Sequence, residues 1–324
     1  MKSSCIHLVV STVLLLSIVV TLPLSIASSE QQPPTTTEQW GTDNCDTVAC
    51  RFKAPNPQTP VDVASKWHEQ DMALWTYVQE QVPDVLEHTG SAAFDEHLKG
   101  VQAVLRYWNA PQHVSHAGLF HSIYGTEGFQ GFALPLSQRD AVRSLIGTQA
   151  EKLAFIFCML DRYSFDDTVM RWSNNNDTTT IASVIQVRAR PELGRFDMEL
   201  TRDEWLDFVE LTLADWLEQV EGAATKPNQL YGWNIGEAYA YRRTAYEQMS
   251  RILAVERAPR LTHVVPLMYQ QVMATEGPDS RHLVQVRTPP QSQAALHAFA
   301  ALRAAGEPIP EILSPVPLVQ ECTA

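Results

Sequence analysis

Residues 113–129 read "HVSHAGLFHSIYGTEGF". Val114, Ala117, Leu119, Phe120 and Ile123 spread round the whole wheel of a helix of about three turns, leaving no polar side. Such a helix has to be buried on most of its faces, so the stretch predicts an inner helix of a helical bundle. The glycines of "YGTEGFQGF" then end it in a loop. His121 sits inside this apolar run and is the first candidate for chemistry.

Working outward, the same helical periodicity recurs on both sides. Phe94, Leu98, Val101, Leu105 and Trp108 keep the three-then-four spacing of one face and predict a helix from about Ser91 to Trp108, ended by "NAP" at 109–111. Trp67, Leu74, Trp75, Val78 and Val82 predict another from Val63 to about Pro83. Downstream, one long helix is expected from Ser137 to Arg162. Residues 181–200 switch to β-branched alternation around a "PELG" turn and read as a β-hairpin. A capping box, Thr201 reached by Glu204, opens a helix that runs to Gly222. Further helices are expected at 235–255, 259–274 and 290–305. The fold class is therefore all-α with one short β-hairpin: a helical domain over 61–222, a smaller C-terminal helical region over 223–306 and an irregular tail over 307–324.

The 324 residues are 45% hydrophobic and 9% aromatic, enough for a substantial core. The first 27 residues carry Lys2, an apolar run from Leu8 to Val20 and small residues at Ser25 and Ala27, the layout of a signal peptide, with an uncleaved membrane anchor as the alternative. Residues 28–60 are rich in Pro, Thr and polar residues and read as a disordered linker. Removing the leader takes the formal charge from −13 to −14, since it holds one lysine and no acid. So acidic a chain does not gather phosphate backbones or anionic lipid, which argues against nucleic acid and, with the leader cleaved, against a membrane. Cys45 and Cys50 enclose a short loop suited to a local disulfide in an oxidising compartment, and Asn176 begins an "NDT" sequon. Both fit a secreted or secretory-lumen protein. Cys158 reads as a small core hydrophobe.

Three side chains point to a metal. His97 lies on or beside the apolar face of its helix, His121 shares one face of the short helix with Val114 and Ala117, and Asp215 in "LADWLEQ" borders the core side of the capped helix. The first two helices are joined by a short loop and must pack antiparallel. A buried carboxylate costs several kcal/mol unless paired or bound to a cation. Two imidazoles and a carboxylate suit Zn, Mn or Fe. Of the other candidates, His113 and His116 are expected at the exposed mouth, His88 in a turn, and Glu127 solvated in its glycine-flanked loop. Glu151 and Asp161 lie some 80° apart on their helix, so at most one of them approaches the site. Tyr239, Tyr241 and Tyr246 with Arg242 and Arg243 form an aromatic and basic ladder suited to packing or to an anion.

The segments "EHLKGVQAVLRYW", "HAGLFHSIYGTEGF" and "VRSLIGTQAEKLAFIFCMLDR" resemble the family known as domain of unknown function 6817, over roughly residues 65–222. More distantly, the arrangement is similar to the HD superfamily of metal-dependent phosphohydrolases, particularly the alarmone hydrolases. That resemblance implies an HD-like bundle over 61–222, with His97, His121 and Asp215 as the metal ligands. Ser122 stands where the superfamily has its Asp, and the assisting acid pair falls on Gly125 and Thr126. Both departures remove acids that the hydrolysis would use. The functional expectation is a secretory-pathway protein with a divalent metal site, acting as a hydrolase of a small phosphate-containing molecule. A non-catalytic binding or scaffold module is the alternative, and an iron oxygenase is a third reading, weakened by the low ligand count.

Overall fold

The computed structural model describes residues 46–82, 93–129, 132–174, 184–228 and 231–283, all within one compact unit spanning Thr35–Ala324. The expected signal peptide, Asn176, His88, the helix at 290–305 and the tail at 307–324 lie outside them. Helix α1 (Val61–Gln81) leads to α2 (Phe94–Tyr107) and α3 (Gln112–Phe120). Pro111 precedes α3 as its N-cap, and the connection is short enough to fold α3 back against α2. Val114 to Phe120 are all buried, as the apolar wheel requires.

The long helix expected over 137–162 is instead α4 (Arg139–Ile146) and α5 (Thr148–Met159), followed by α6 (Arg162–Asn174). Gly147 adopts φ 89° and ψ 157°, a conformation open to glycine and not to residues with a Cβ, and the chain turns there. Strands β1 (Val184–Arg188) and β2 (Asp197–Thr201) form the antiparallel hairpin, with Gln186 opposite Glu199. Helix α7 (Arg202–Ala223) starts at the predicted capping box: the Thr201 side chain accepts from Glu204 N and the Glu204 carboxylate accepts from Thr201 N at 2.8 Å.

Helix α7 is the axis of the molecule. It packs against α2, α3 and α5 on one side and against α8 (Arg243–Glu256) and α9 (Val264–Ala274) on the other. Trp205, Phe208, Leu211, Leu213 and Leu217 are all buried along it. One continuous hydrophobic cluster therefore joins residues before and after 222, because α7 presents apolar side chains on both sides. The division at 222 expected from the sequence has no counterpart in the packing. A short helix, α10 (Pro278–Arg281), closes the described chain.

The linker expected over 28–60 does not extend to residue 60. Ala49–Phe52 form a 3-10 turn, and Ala49, Cys50, Phe52 and Ala54 are buried. Glu221 of α7 accepts from the backbone N–H of Val48 and Ala49 at 3.0 and 2.9 Å, and Ala54 N donates to Ala103 O of α2 at 3.0 Å. A few apolar side chains and two backbone anchors hold a segment whose Pro and polar content reads as loose. Cys50 is disulfide-bonded to a cysteine outside the described residues, while Cys158 is free and buried. No helix of the described residues is long and apolar enough to cross a membrane.

Candidate metal centre

His97 projects from the first turn of α2, His121 caps the C-terminal end of α3, and Asp215 lies midway along α7. All three are buried, at 1%, 0% and 2% exposure, so solvent does not screen what they do to one another. Their inner atoms form a nearly equilateral triangle. His97 Nε2 is 3.2 Å from His121 Nε2, and each of these nitrogens is 3.2 Å from Asp215 Oδ1. An ion equidistant from three donors at that spacing has bonds of about 2.0 Å at tetrahedral angles, the zinc values, or about 2.3 Å at octahedral ones.

The outer nitrogens fix which ring atoms carry protons. His121 Nδ1 lies 2.7 Å from the Gly118 carbonyl, which can only accept, so this nitrogen donates. His97 Nδ1 lies 2.7 Å from Glu218 Oε2, and the other oxygen of that carboxylate accepts from Lys53 Nζ at 2.8 Å. Lys53 and His97 hold Glu218 ionised, overcoming the burial that opposes its charge, and its pKa is lowered. His97 Nδ1 therefore donates as well. In the neutral rings both Nε2 lone pairs face Asp215 Oδ1, and three acceptors converge on one point. One carboxylate and one backbone carbonyl behind the two imidazoles is also the support that metal-binding histidines have.

Without an ion a proton has to relieve this convergence. Burial disfavours an imidazolium at His97, but hydrogen bonds and charge from Asp215 and Glu218 outweigh it and push the His97 pKa up to about 9. Asp215 shows the reciprocal effect: burial raises it, the two histidines more than compensate, and it stays well below the usual carboxylate range. Gln219 Nε2 donates to Asp215 Oδ1 at 2.8 Å. Phe157 meets the His121 ring edge-on at 4.9 Å and closes the apolar side.

A pocket enclosing about 420 Å³, its open mouth included, reaches Asp215. Ser122, Thr126, Arg162 and Gln219 supply its polar lining, and Tyr231 and Tyr241 its aromatic wall. Ser122 lines this pocket together with Asp215 and is buried, and its hydroxyl adds no charge there.

The remaining candidates fall elsewhere. Glu151 is buried but spent on Arg139 at 2.6 Å, Arg143 at 3.2 Å and Tyr124 at 3.3 Å. Asp161 accepts from Tyr163 N at 3.0 Å at the start of α6. His113 pairs with Asp207 at 2.7 Å at the surface side. His116, expected exposed, is buried beside Arg106 and Asp71; burial and the Arg106 charge push its pKa down to about 4. Glu127, expected solvated, is drawn in toward Arg162, and burial raises its pKa against the pull of that cation. The tyrosine ladder is internal: Tyr239, Tyr241 and Tyr246 are buried, Arg242 pairs with Asp166 at 2.5 Å, and Arg243 with Glu276 at 2.6 Å. Glu218 and Lys53 were not expected at all. The one signal for Glu218 is its place three residues after Asp215, hence on the same helix face.

Residues 77–162 match the model of the family described as Domain of unknown function (DUF6817). The match includes His97 and His121 and ends before Asp215. No curated protein and no solved structure matches the chain.

Proposed function

We propose that His97, His121 and Asp215 hold one divalent metal ion, Zn, Mn or Fe, and that the protein is a metal-dependent hydrolase of a small phosphate-containing molecule. The observation that carries this reading is the convergence of three acceptor atoms at 3.2 Å spacing, with both histidines already committed to donate from their other nitrogens. Three protein ligands leave coordination positions open, which is the pattern of catalytic sites and not of structural ones. An ion there lowers the pKa of water toward neutrality and polarises phosphoryl oxygens.

The protein's own contribution is orientation and exclusion. Glu218 keeps the proton of His97 on Nδ1, the Gly118 carbonyl does the same for His121, and Phe157 keeps water from the far side of that ring. The order His97, His121, Asp215 along the chain is that of the HD superfamily ligands, which supports the phosphohydrolase reading. Ser122 in the aspartate position leaves the site one negative charge short, favouring a more weakly held ion. The disulfide at Cys50 supports residence in the secretory pathway or outside the cell.

Elemental analysis of purified protein, metal-stripped and then exposed to Zn²⁺, Mn²⁺ or Fe²⁺, tests the site. One equivalent is expected in the parent and less than a tenth of that in His97→Ala, His121→Ala and Asp215→Asn. A parent that takes up none of the three ions refutes the metal reading. A metal-loaded parent that turns over no phosphate ester leaves the binding-module alternative.

A further inference from the structure

Arg162 opens helix α6 at the wall of the pocket that reaches Asp215, with 13% of its side chain exposed. Three other partly buried arginines are tied down by carboxylates. Arg139 meets Glu151 at 2.6 and 3.0 Å, Arg260 meets Glu210 at 2.6 and 2.7 Å, and Arg242 meets Asp166 at 2.5 to 3.0 Å. The Arg162 guanidinium makes no hydrogen bond to any described residue. Its ionic neighbour is Glu127, whose Oε2 stands 3.7 Å from Nε, beyond hydrogen-bond reach. That oxygen is itself buried without a hydrogen-bond partner. The guanidinium stacks 5.1 Å over Phe157, the same ring that meets His121. Among the described residues this planar fork of donors is therefore held by packing and not by hydrogen bonds, on the pocket that Asp215 also lines.

We infer that Arg162 is the docking residue for a phosphate group, so that the pocket takes a small phosphate monoester or inorganic phosphate between this guanidinium and the triad. The fork geometry matches two oxygens of a tetrahedral anion. The aromatic wall of Tyr231 and Tyr241 would tolerate a cation, but the guanidinium beside it repels one. A chain of net charge −13 attracts no anion from a distance, so a local cation is needed to hold a phosphate. The position of the ligand against the triad rests on the metal reading above; the anion contact with Arg162 does not.

The test is a ³¹P NMR titration of inorganic phosphate against the full chain, both metal-stripped and loaded with Zn²⁺, for the parent, Arg162→Gln and Glu127→Gln. Arg162→Gln should weaken phosphate binding at least tenfold while leaving zinc affinity within twofold. Glu127→Gln removes a competing negative charge and should tighten phosphate binding about threefold or more, a gain that a purely structural role for the pair would not give. Phosphate binding that is absent from the parent in both forms, or indifferent to Arg162→Gln in both, overturns the inference. A parent that takes up no zinc sinks the metal reading alone, because the metal-stripped series still reads Arg162. If Arg162→Gln does not fold, the Glu127→Gln series decides, and no tightening there counts against the inference.

Discussion

Replacing Glu218 by Gln tests the metal centre without touching a ligand. The carboxylate accepts from His97 Nδ1 at 2.7 Å and is ion-paired to Lys53 at 2.8 Å, so it both fixes the tautomer and raises the basicity of Nε2. Glutamine keeps the shape and removes the charge. Its amide can also turn its NH₂ toward Nδ1, which would move the imidazole proton to Nε2 and block coordination. Losing such a supporting partner costs about 10- to 100-fold in metal affinity, or about 1.4 to 2.7 kcal/mol. Zinc competition against a chromophoric chelator measures it, with circular dichroism to verify the fold. A second route to the same displacement is Gly100→Ala, since a Cβ at Gly100 would lie within 2.3 Å of Glu218 Oε1 and push the carboxylate away from His97. A folded Glu218→Gln protein with zinc affinity within twofold of the parent would refute the reasoning, because then His97 does not bind through the nitrogen that Glu218 exposes.

Three further outcomes are expected. His116 has its pKa pushed from 6.5 down to about 4, so the stability gained by keeping it neutral is intact above pH 6.5 and is lost as pH falls toward 4. That amounts to about 2 kcal/mol between pH 7 and pH 5, and His116→Gln should flatten the urea-unfolding pH profile by this amount relative to the parent, Asp71 and Arg106 being common to both. Gly147→Ala should cost about 1 to 3 kcal/mol in chemical denaturation from backbone strain alone, because a Cβ there meets nothing within 4 Å; a neutral result would mean the α4–α5 turn relaxes freely. Thr201→Ala removes the side-chain acceptor of the capping box and should lower stability by about 1 kcal/mol, read in the same assay.

How much of this was legible in the sequence follows from the kind of signal each feature leaves. His97, His121 and Asp215 were legible because each is a polar residue on an apolar helical face, and burial makes such a residue costly unless it meets a partner. The hairpin and the Thr201 cap were legible because alternation and capping chemistry are local. The break at Gly147 was not, since the apolar period of α4 runs on into α5 and one glycine inside a helical pattern is ordinarily tolerated. The ordered segment at 46–60 was hidden for the opposite reason: its composition is that of a linker, and the groups that hold it, Glu218, Glu221 and the Ala103 carbonyl, are far away in sequence. His116 and Glu127 were misplaced because a polar residue beside a loop or helix start gives no sign of what folds over it. In each case the missing information is long-range packing.

The same long-range contacts support the proposed ion over an ordinary pair of core histidines. Ordinary buried imidazoles donate from one nitrogen and either accept at the other or leave it against apolar groups. Here both rings donate outward, to Glu218 and to Gly118, and both accepting nitrogens turn toward each other and toward a carboxylate. One proton on His97 Nε2 that points at Asp215 Oδ1 leaves His121 Nε2 an unrelieved acceptor in a site with no exposed atom to spare, and one that points at His121 Nε2 leaves Asp215 Oδ1 with the Gln219 amide alone. Two protons satisfy the carboxylate but set two imidazolium rings 5.1 Å apart, centroid to centroid, inside the core. A single divalent ion at the centre of the triangle faces all three acceptors at once and needs neither charge to be removed. Lys53 behind Glu218 offsets the second buried carboxylate, so that with an ion in the proposed site the negative charge facing it would be that of Asp215.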